Sequence, residues 1–293
     1  MSIPDETTYP AQISPTILER QSSDSALGNR DNPPWGLLAA FLTWLASVAL
    51  LLLPQVLAIP YVAAHYRGAR PTPEMLMADK TLIIILVSGI LPAHLITLAI
   101  AWCVVTQFGR ISAVKALGLE RAGKLTFWQS AGLAISLFVV SWLLALTFGG
   151  KETELERIVQ SSRVAALMIA FLAVATAPIV EETIYRGILY PAFKRVTGPG
   201  IAIFMVTLMF ALPHVPQYWP NFAVISSITL LSVVLTVVRA RSGRLFPCLV
   251  IHLVFNGIQS FIILLEPYLR SLFTLWQNQT NAGILIQLAR CIV

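Results

Sequence analysis

From residue 35 onward the chain is a series of long apolar runs joined by short polar connections, at roughly 35–62, 81–106, 127–148, 164–194, 201–212, 222–238 and 245–265. A helix of about 20 apolar residues crosses a hydrocarbon core about 30 Å thick, and it satisfies its own backbone hydrogen bonds where no water can. The expected fold is therefore all-α, a polytopic membrane helical bundle of about seven to eight spans, the eighth being a mildly apolar piece within 266–293. With 57% hydrophobic and 12% charged residues, an ordinary soluble domain is excluded.

Residues 1–34 form a polar tail with Pro4, Pro10, Pro15, Pro33 and Pro34, too poor in apolar surface to order itself. The run after it exceeds the 7–15 residues of a signal-peptide core, so 35–62 is read as an anchor kinked by Pro54 and Pro60. The net charge of +6 comes from basic residues in the connections, including Arg110, Lys115, Arg121 and Lys124 and the cluster Arg239, Arg241 and Arg244. Their slight excess on one side favours a cytoplasmic N-terminus, and no nucleic-acid patch is formed. Cys103, Cys248 and Cys291 are widely spaced and read as free thiols.

The run at 81–106 is expected to be interrupted near Gly89 and Pro92, and His94 reads as a packed or interfacial histidine. Residues 151–163 place Leu155, Ile158 and Val159 at helical spacing, which fits either an amphipathic surface helix or a solvated linker. Pro191 and residues 198–200 are expected to break the chain into separate spans.

Ionisable residues inside apolar runs are the functional signal, because a charge at the centre of a membrane helix costs roughly 2.5–3.5 kcal/mol on insertion scales. Glu182 and Arg186 stand at i and i+4, the spacing for an ion pair, while Glu181 points elsewhere and keeps a carboxylate free for proton transfer. The bland alternative is that both acids share Arg186 in a solvated turn at the membrane surface. Phe210 and His214, then His252 and Asn256, repeat the i, i+4 spacing, so Phe210 can wall His214 while His252 and Asn256 face one cavity. Peptide-bond hydrolysis needs such a set: a base for water, donors for the oxyanion and an acid for the leaving amine. Glu181 with His214 can activate the water, and His252 with Asn256 can donate to the oxyanion. The same atoms also suit zinc held by Glu181, His214 and His252. A haem reading leaves Glu181, Glu182 and Arg186 without work.

In this order and membrane setting, Glu-Glu-x-x-x-Arg, Phe-x-x-x-His and His-x-x-x-Asn resemble the CPBP family, the CAAX-protease and bacteriocin-processing membrane proteases also called Abi. The resemblance covers roughly residues 160–265. It implies an all-helical intramembrane endopeptidase in which Glu181 activates water with His214, Glu182 and Arg186 support it, and His252 and Asn256 lie on the oxyanion side. Both metalloprotease and metal-free glutamate mechanisms are attached to the family. The metal-free scheme is preferred because Asn256, one turn from His252, makes a better hydrogen-bond donor than zinc ligand. Pro213, directly before His214, is expected to distort that helix end.

The resulting expectation is a tail at 1–34, N-terminal spans at 35–150, a catalytic membrane domain at 151–265 and a C-terminal segment at 266–293. The protein is expected in the plasma membrane of a prokaryote, surrounded by lipid and acting on a peptide or membrane-protein substrate. The competing functions are a non-catalytic binding or regulatory protein on the same fold and a proton-coupled transporter.

Overall fold

A computed structural model describes residues 32–120, 125–148 and 153–265, together with Tyr268 and Ser271. The expected flexible tail, the eighth membrane piece and Cys291 lie almost wholly outside the described residues. Those described are helical, with no strand among them. Helices α1 (Leu37–Leu50) and α2 (Leu53–His65) make one apolar run, offset at Leu51 and Leu52 because Pro54 opens the second helix. Helix α3 is Lys80–Thr106, started by the carboxylate of Asp79, which accepts from the backbone of Thr81 at 3.0 Å and Leu82 at 3.1 Å. Helix α4 is Phe127–Phe148, and α5 is Glu154–Ser161, opened by a reciprocal Thr153–Glu156 capping box. The amphipathic alternative for this connection is thus a real helix, and its Ile158 packs beside Ile83, Val87, Ala165 and Leu172.

A stretch that is helical except at Gly198 then extends from Arg163 to Tyr218, containing α6 (Arg163–Phe171), α7 (Ala177–Glu181) and α8 (Tyr190–Ala211, bent at Gly198). Helices α9 (Phe222–Ser242) and α10 (Phe246–Leu265) complete the bundle. Among the described residues, six helical runs are long and apolar enough to cross a membrane, not seven to eight. The difference lies in the Arg163–Tyr218 run. Pro191 does not break it, since the chain continues helically through that residue. The break is at Gly198, whose φ of 80° and ψ of 170° leave helical space, with Pro199 preventing the preceding helix from resuming. There the chain folds back, bringing the Phe210 ring to 4.9 Å from that of Tyr185. At 1.5 Å per residue, the returning arm to Ala211 is about 20 Å long, shorter than a hydrocarbon core.

Helix α3 is also continuous where an interruption near Gly89 and Pro92 was expected. In an apolar bundle, extending the helix loses a single hydrogen bond at the proline, whereas a break would orphan several. Gly89 instead lets α2 approach, because a Cβ there would lie 2.8 Å from the Cα of Pro54.

The N-terminal spans are tied to the later ones by specific bonds. The indole of Trp35 donates to the carbonyl of Ile188 at 3.1 Å and that of Trp44 to the hydroxyl of Tyr185 at 3.3 Å. Arg195 donates to the carbonyls of Pro33 at 3.0 Å and Trp35 at 3.2 Å. Trp35, Ile184, Ile188, Phe210 and Leu245 belong to the main buried cluster. Large apolar side chains such as Trp102, Trp142, Leu146 and Phe204 are exposed along the outer faces, where lipid would contact them.

Gly89→Ala is expected to lower stability by about 1–3 kcal/mol, since the obstacle is backbone that cannot rotate away. Thermal unfolding in detergent checks this, and an unchanged midpoint would mean α2 and α3 separate freely.

Candidate active site

The polar motifs are set by two stretches where the long run widens into π-helix, at Leu172–Thr176 and Glu182–Leu189. π turns are rare and concentrate at functional sites. Here each has a sequence cause. The first turn closes through Ala177 N–H to the carbonyl of Leu172, and the second through Tyr190 N–H to that of Tyr185. The next donors in the same pattern would be residues 178 and 191, and both are prolines, without an N–H. The carbonyls they would have reached, Ala173 and Arg186, receive side chains instead: Asn256 Nδ2 donates to Ala173 at 2.9 Å and Arg239 Nε to Arg186 at 3.0 Å. Each π turn thus ends on a proline, with a side chain from α10 or α9 supplying the missing hydrogen bond.

Within the second turn, Glu182 and Arg186 pair at 3.0 Å with both side chains fully buried, which removes the solvated-turn alternative. The guanidinium also donates to Thr236 Oγ1 at 3.2 Å, and to the carbonyl and Oγ of Ser232 at 3.0 and 2.8 Å. It lies 4.6 Å over the ring of Phe210, within cation–π range. Glu182 Oε1 takes a second partner, His252 Nδ1, at 2.8 Å. Because Oε1 is a carboxylate acceptor paired to Arg186, Nδ1 is the donor. The other ring nitrogen of His252, Nε2, faces Glu181 Oε2 across 3.6 Å. Glu181 retains a quarter of its side-chain exposure, whereas Glu182 has none.

His214 sits on a 3₁₀ turn, Leu212–His214, that Pro213 forces at the end of α8. Its Nδ1 donates to the carbonyl of Phe210 at 2.7 Å, and its ring stacks on that of Phe210 at 5.1 Å. Nε2 is then the acceptor nitrogen in the neutral ring. His214 bonds to this carbonyl and to neither glutamate, but the Phe210 ring joins it to the site by also meeting His252 edge-on at 6.2 Å. Asn256 spends one amide hydrogen on Ala173.

Three polar contributors were not singled out from sequence. Ser232 and Thr236 lie one helical turn apart inside an apolar span, followed by Arg239 at the next turn, and that polar stripe was the available signal. Arg239 was grouped with the basic connection after 238, yet only 1% of it is exposed because α9 continues to Ser242. His94, read as packed or interfacial, hydrogen-bonds Thr176 Oγ1 through Nδ1 at 2.8 Å, at the end of the first π turn.

For zinc, the donors do not converge. Among the described residues no group of three or more His, Cys, Asp or Glu side chains is arranged to hold a metal ion, although the Nδ1 bonds of His214 and His252 leave the Nε2 atom of each ring available. The candidate set Glu181, His214 and His252 therefore does not form a ready ligand cage here. Cys103 and Cys248 are free thiols, as expected.

Arg186→Ala is expected to lower stability by about 3–5 kcal/mol, the usual consequence of leaving one member of a buried pair alone. The apolar double variant Arg186→Met with Glu182→Leu should recover much of the unfolding midpoint, because neither charge is then stranded. Equal loss in single and double variants would show that the pair is not the source of the effect.

Compared with known families, residues 163–258 match the Type II CAAX prenyl endopeptidase Rce1-like family. Searches of curated proteins and of solved structures gave no match. The matched stretch contains Glu181, Glu182, Arg186, His214, His252 and Asn256, and it starts after the N-terminal spans. An integral, multi-pass membrane protein with six apolar helical runs among the described residues, the chain resembles the CPBP and CAAX-protease family over this stretch, as its three motifs indicate.

Proposed function

We propose that the protein is an intramembrane endopeptidase that hydrolyses a peptide bond near the membrane surface, with Glu181 as the general base. The observation that carries this is the line of contacts Arg186–Glu182–His252–Glu181, at 3.0, 2.8 and 3.6 Å. A buried ion pair orients an imidazole through Nδ1, and the imidazole turns Nε2 toward a second, partly open carboxylate. A network of this kind inside an apolar bundle is expensive to retain for packing alone.

In the proposed reaction, water is held between the Glu181 carboxylate and His214 Nε2, both acceptors for its hydrogens. Glu181 takes a proton as the water oxygen bonds to the scissile carbonyl carbon, forming a tetrahedral oxyanion. The oxyanion side is assigned to His252, whose Nε2 donates when the ring carries both protons, and to the amide hydrogen of Asn256 that Ala173 does not use. Collapse breaks the carbon–nitrogen bond, and protonated Glu181 returns its proton to the leaving amine, giving a carboxyl and an amine product. Phe210 fixes His214 by stacking and by its carbonyl, so the water-holding nitrogen keeps one direction. The substrate is a peptide or membrane protein presented from the lipid, and the catalytic unit is assigned to residues 151–265.

Cleavage of a library of membrane-proximal peptides by the purified protein tests the reading. Glu181→Gln should reduce the rate by about 10²–10⁴-fold, the range for loss of a general base, with the fold intact. Full activity in that variant would overturn the assignment. Chelator-treated protein is expected to remain active. Loss of activity that returns only when zinc is added back, together with bound zinc that disappears in His214→Ala, would replace the glutamate scheme by a metal one.

A further inference from the structure

We infer that Arg239 is a positioning residue for this site: it supplies the hydrogen bond that Pro191 cannot, and so holds the π turn from which Glu182, paired to Arg186, meets His252. Tyr190 N–H bonds the carbonyl of Tyr185, five residues back. One residue further, the same pattern would bring residue 191 to the carbonyl of Arg186, where proline has no hydrogen to give. Arg239 Nε occupies that acceptor at 3.0 Å, reaching across from α9 with 1% of its surface exposed. Its guanidinium also lies 6.0 Å over the ring of Tyr190, so the same side chain meets one residue within the turn and the residue that closes it.

The first π turn repeats the device independently. Ala177 N–H closes it on Leu172, Pro178 lacks the next donor, and Asn256 supplies it to Ala173 at 2.9 Å. Two unrelated side chains on two helices meet the same need at the same register position, which makes a chance polar contact a poor account of either.

Register matters because a π turn holds one residue more than the α turn it replaces. If the turn tightens to α, everything beyond it rotates by about 100° and shifts by about 1.5 Å relative to what precedes it. On one side stand Glu181 and Glu182. On the other stand Ile188, bonded by Trp35, and the arm leading to Phe210 and His214. Holding the turn therefore sets the two halves of the site against each other, although Arg239 touches none of the reacting atoms.

The test is a rescue. Arg239→Met should lower kcat by about 10²-fold with KM little changed, the scale of a misplacement of about 1 Å, and should speed amide exchange at residues 186–190. Pro191→Ala restores a backbone N–H in the position to bond Arg186, so Arg239→Met combined with Pro191→Ala should regain most of the activity and of the exchange protection. A role of Arg239 through its charge elsewhere would not be rescued by an alanine at 191. If Arg239→Met does not fold, Arg239→Lys with and without Pro191→Ala carries the same comparison. A double variant no better than the single one, or a fully active Arg239→Met, overturns the inference. It rests on the endopeptidase reading only for kcat: were the wild-type protein to cleave no peptide, that reading would fail, while the exchange data would still decide whether Arg239 holds the turn.

Discussion

The structure depends on one guanidinium. Arg186 is fully buried in a bundle whose outer faces are apolar, and its five N–H groups have to be met inside the protein. Glu182, Thr236 and Ser232 accept four hydrogen bonds from it, and Phe210 covers its face. These partners come from the same turn, from α9 and from the arm returning after Gly198, so satisfying one side chain fixes three segments together. Lysine at this position would carry the charge without the planar fork and could not bridge the same set. The pair with Glu182 does not need to stabilise the fold relative to an apolar pair of similar volume. Its effect is to make one arrangement of the helices much better than its neighbours, and the imidazole of His252 is oriented as a consequence.

The prolines act in an equally physical way. Proline in a membrane helix is usually read as a kink or an end, because it removes an N–H and crowds the preceding turn. Pro178 and Pro191 do neither. Each lies just past a π turn, and the carbonyl it leaves without a backbone donor is taken by a side chain from another helix. In a hydrocarbon environment that carbonyl has no water to turn to, so the side chain has a strong reason to be there. The polar groups α9 and α10 carry in their interiors thereby become interhelical bonds at fixed heights.

Much of this was legible in the sequence, and the parts that were not share a cause. The apolar runs gave the helices almost residue by residue at 127–148, and the i, i+4 spacing of Glu182 and Arg186 gave their pairing. Pro213 before His214 announced the distorted turn on which that histidine sits. Among the described residues six runs replace the seven expected, because the arm that returns after Gly198 is too short to cross by itself and belongs with the stretch before it, while Pro191 makes no break at all. A reading by helical periodicity assumes 3.6 residues per turn, and two π turns violate that assumption, one just before the motif residues and one containing Glu182 and Arg186. Arg239 was misplaced for a related reason: a cation near the end of an apolar run reads as a loop residue unless its partner is known, and that partner is a carbonyl 53 residues away.

Glu181 and Glu182 are adjacent and chemically identical, so any difference in role has to come from surroundings. Glu182 is fully buried, and its Oε1 is engaged by both Arg186 and His252. Glu181 keeps a quarter of its side chain exposed and meets only the far nitrogen of the same imidazole, at a distance longer than a hydrogen bond. A gap of that kind suits a group whose protonation must change during a reaction, because a tight bond would hold it in one state. Exchanging the two roles would require rotating the helix by about 100°, and the side chains anchored at Ala173 and Arg186 oppose that rotation from both ends of the segment. On the proposed reading, the division of labour between two identical carboxylates is set less by the carboxylates than by where two prolines withhold a hydrogen.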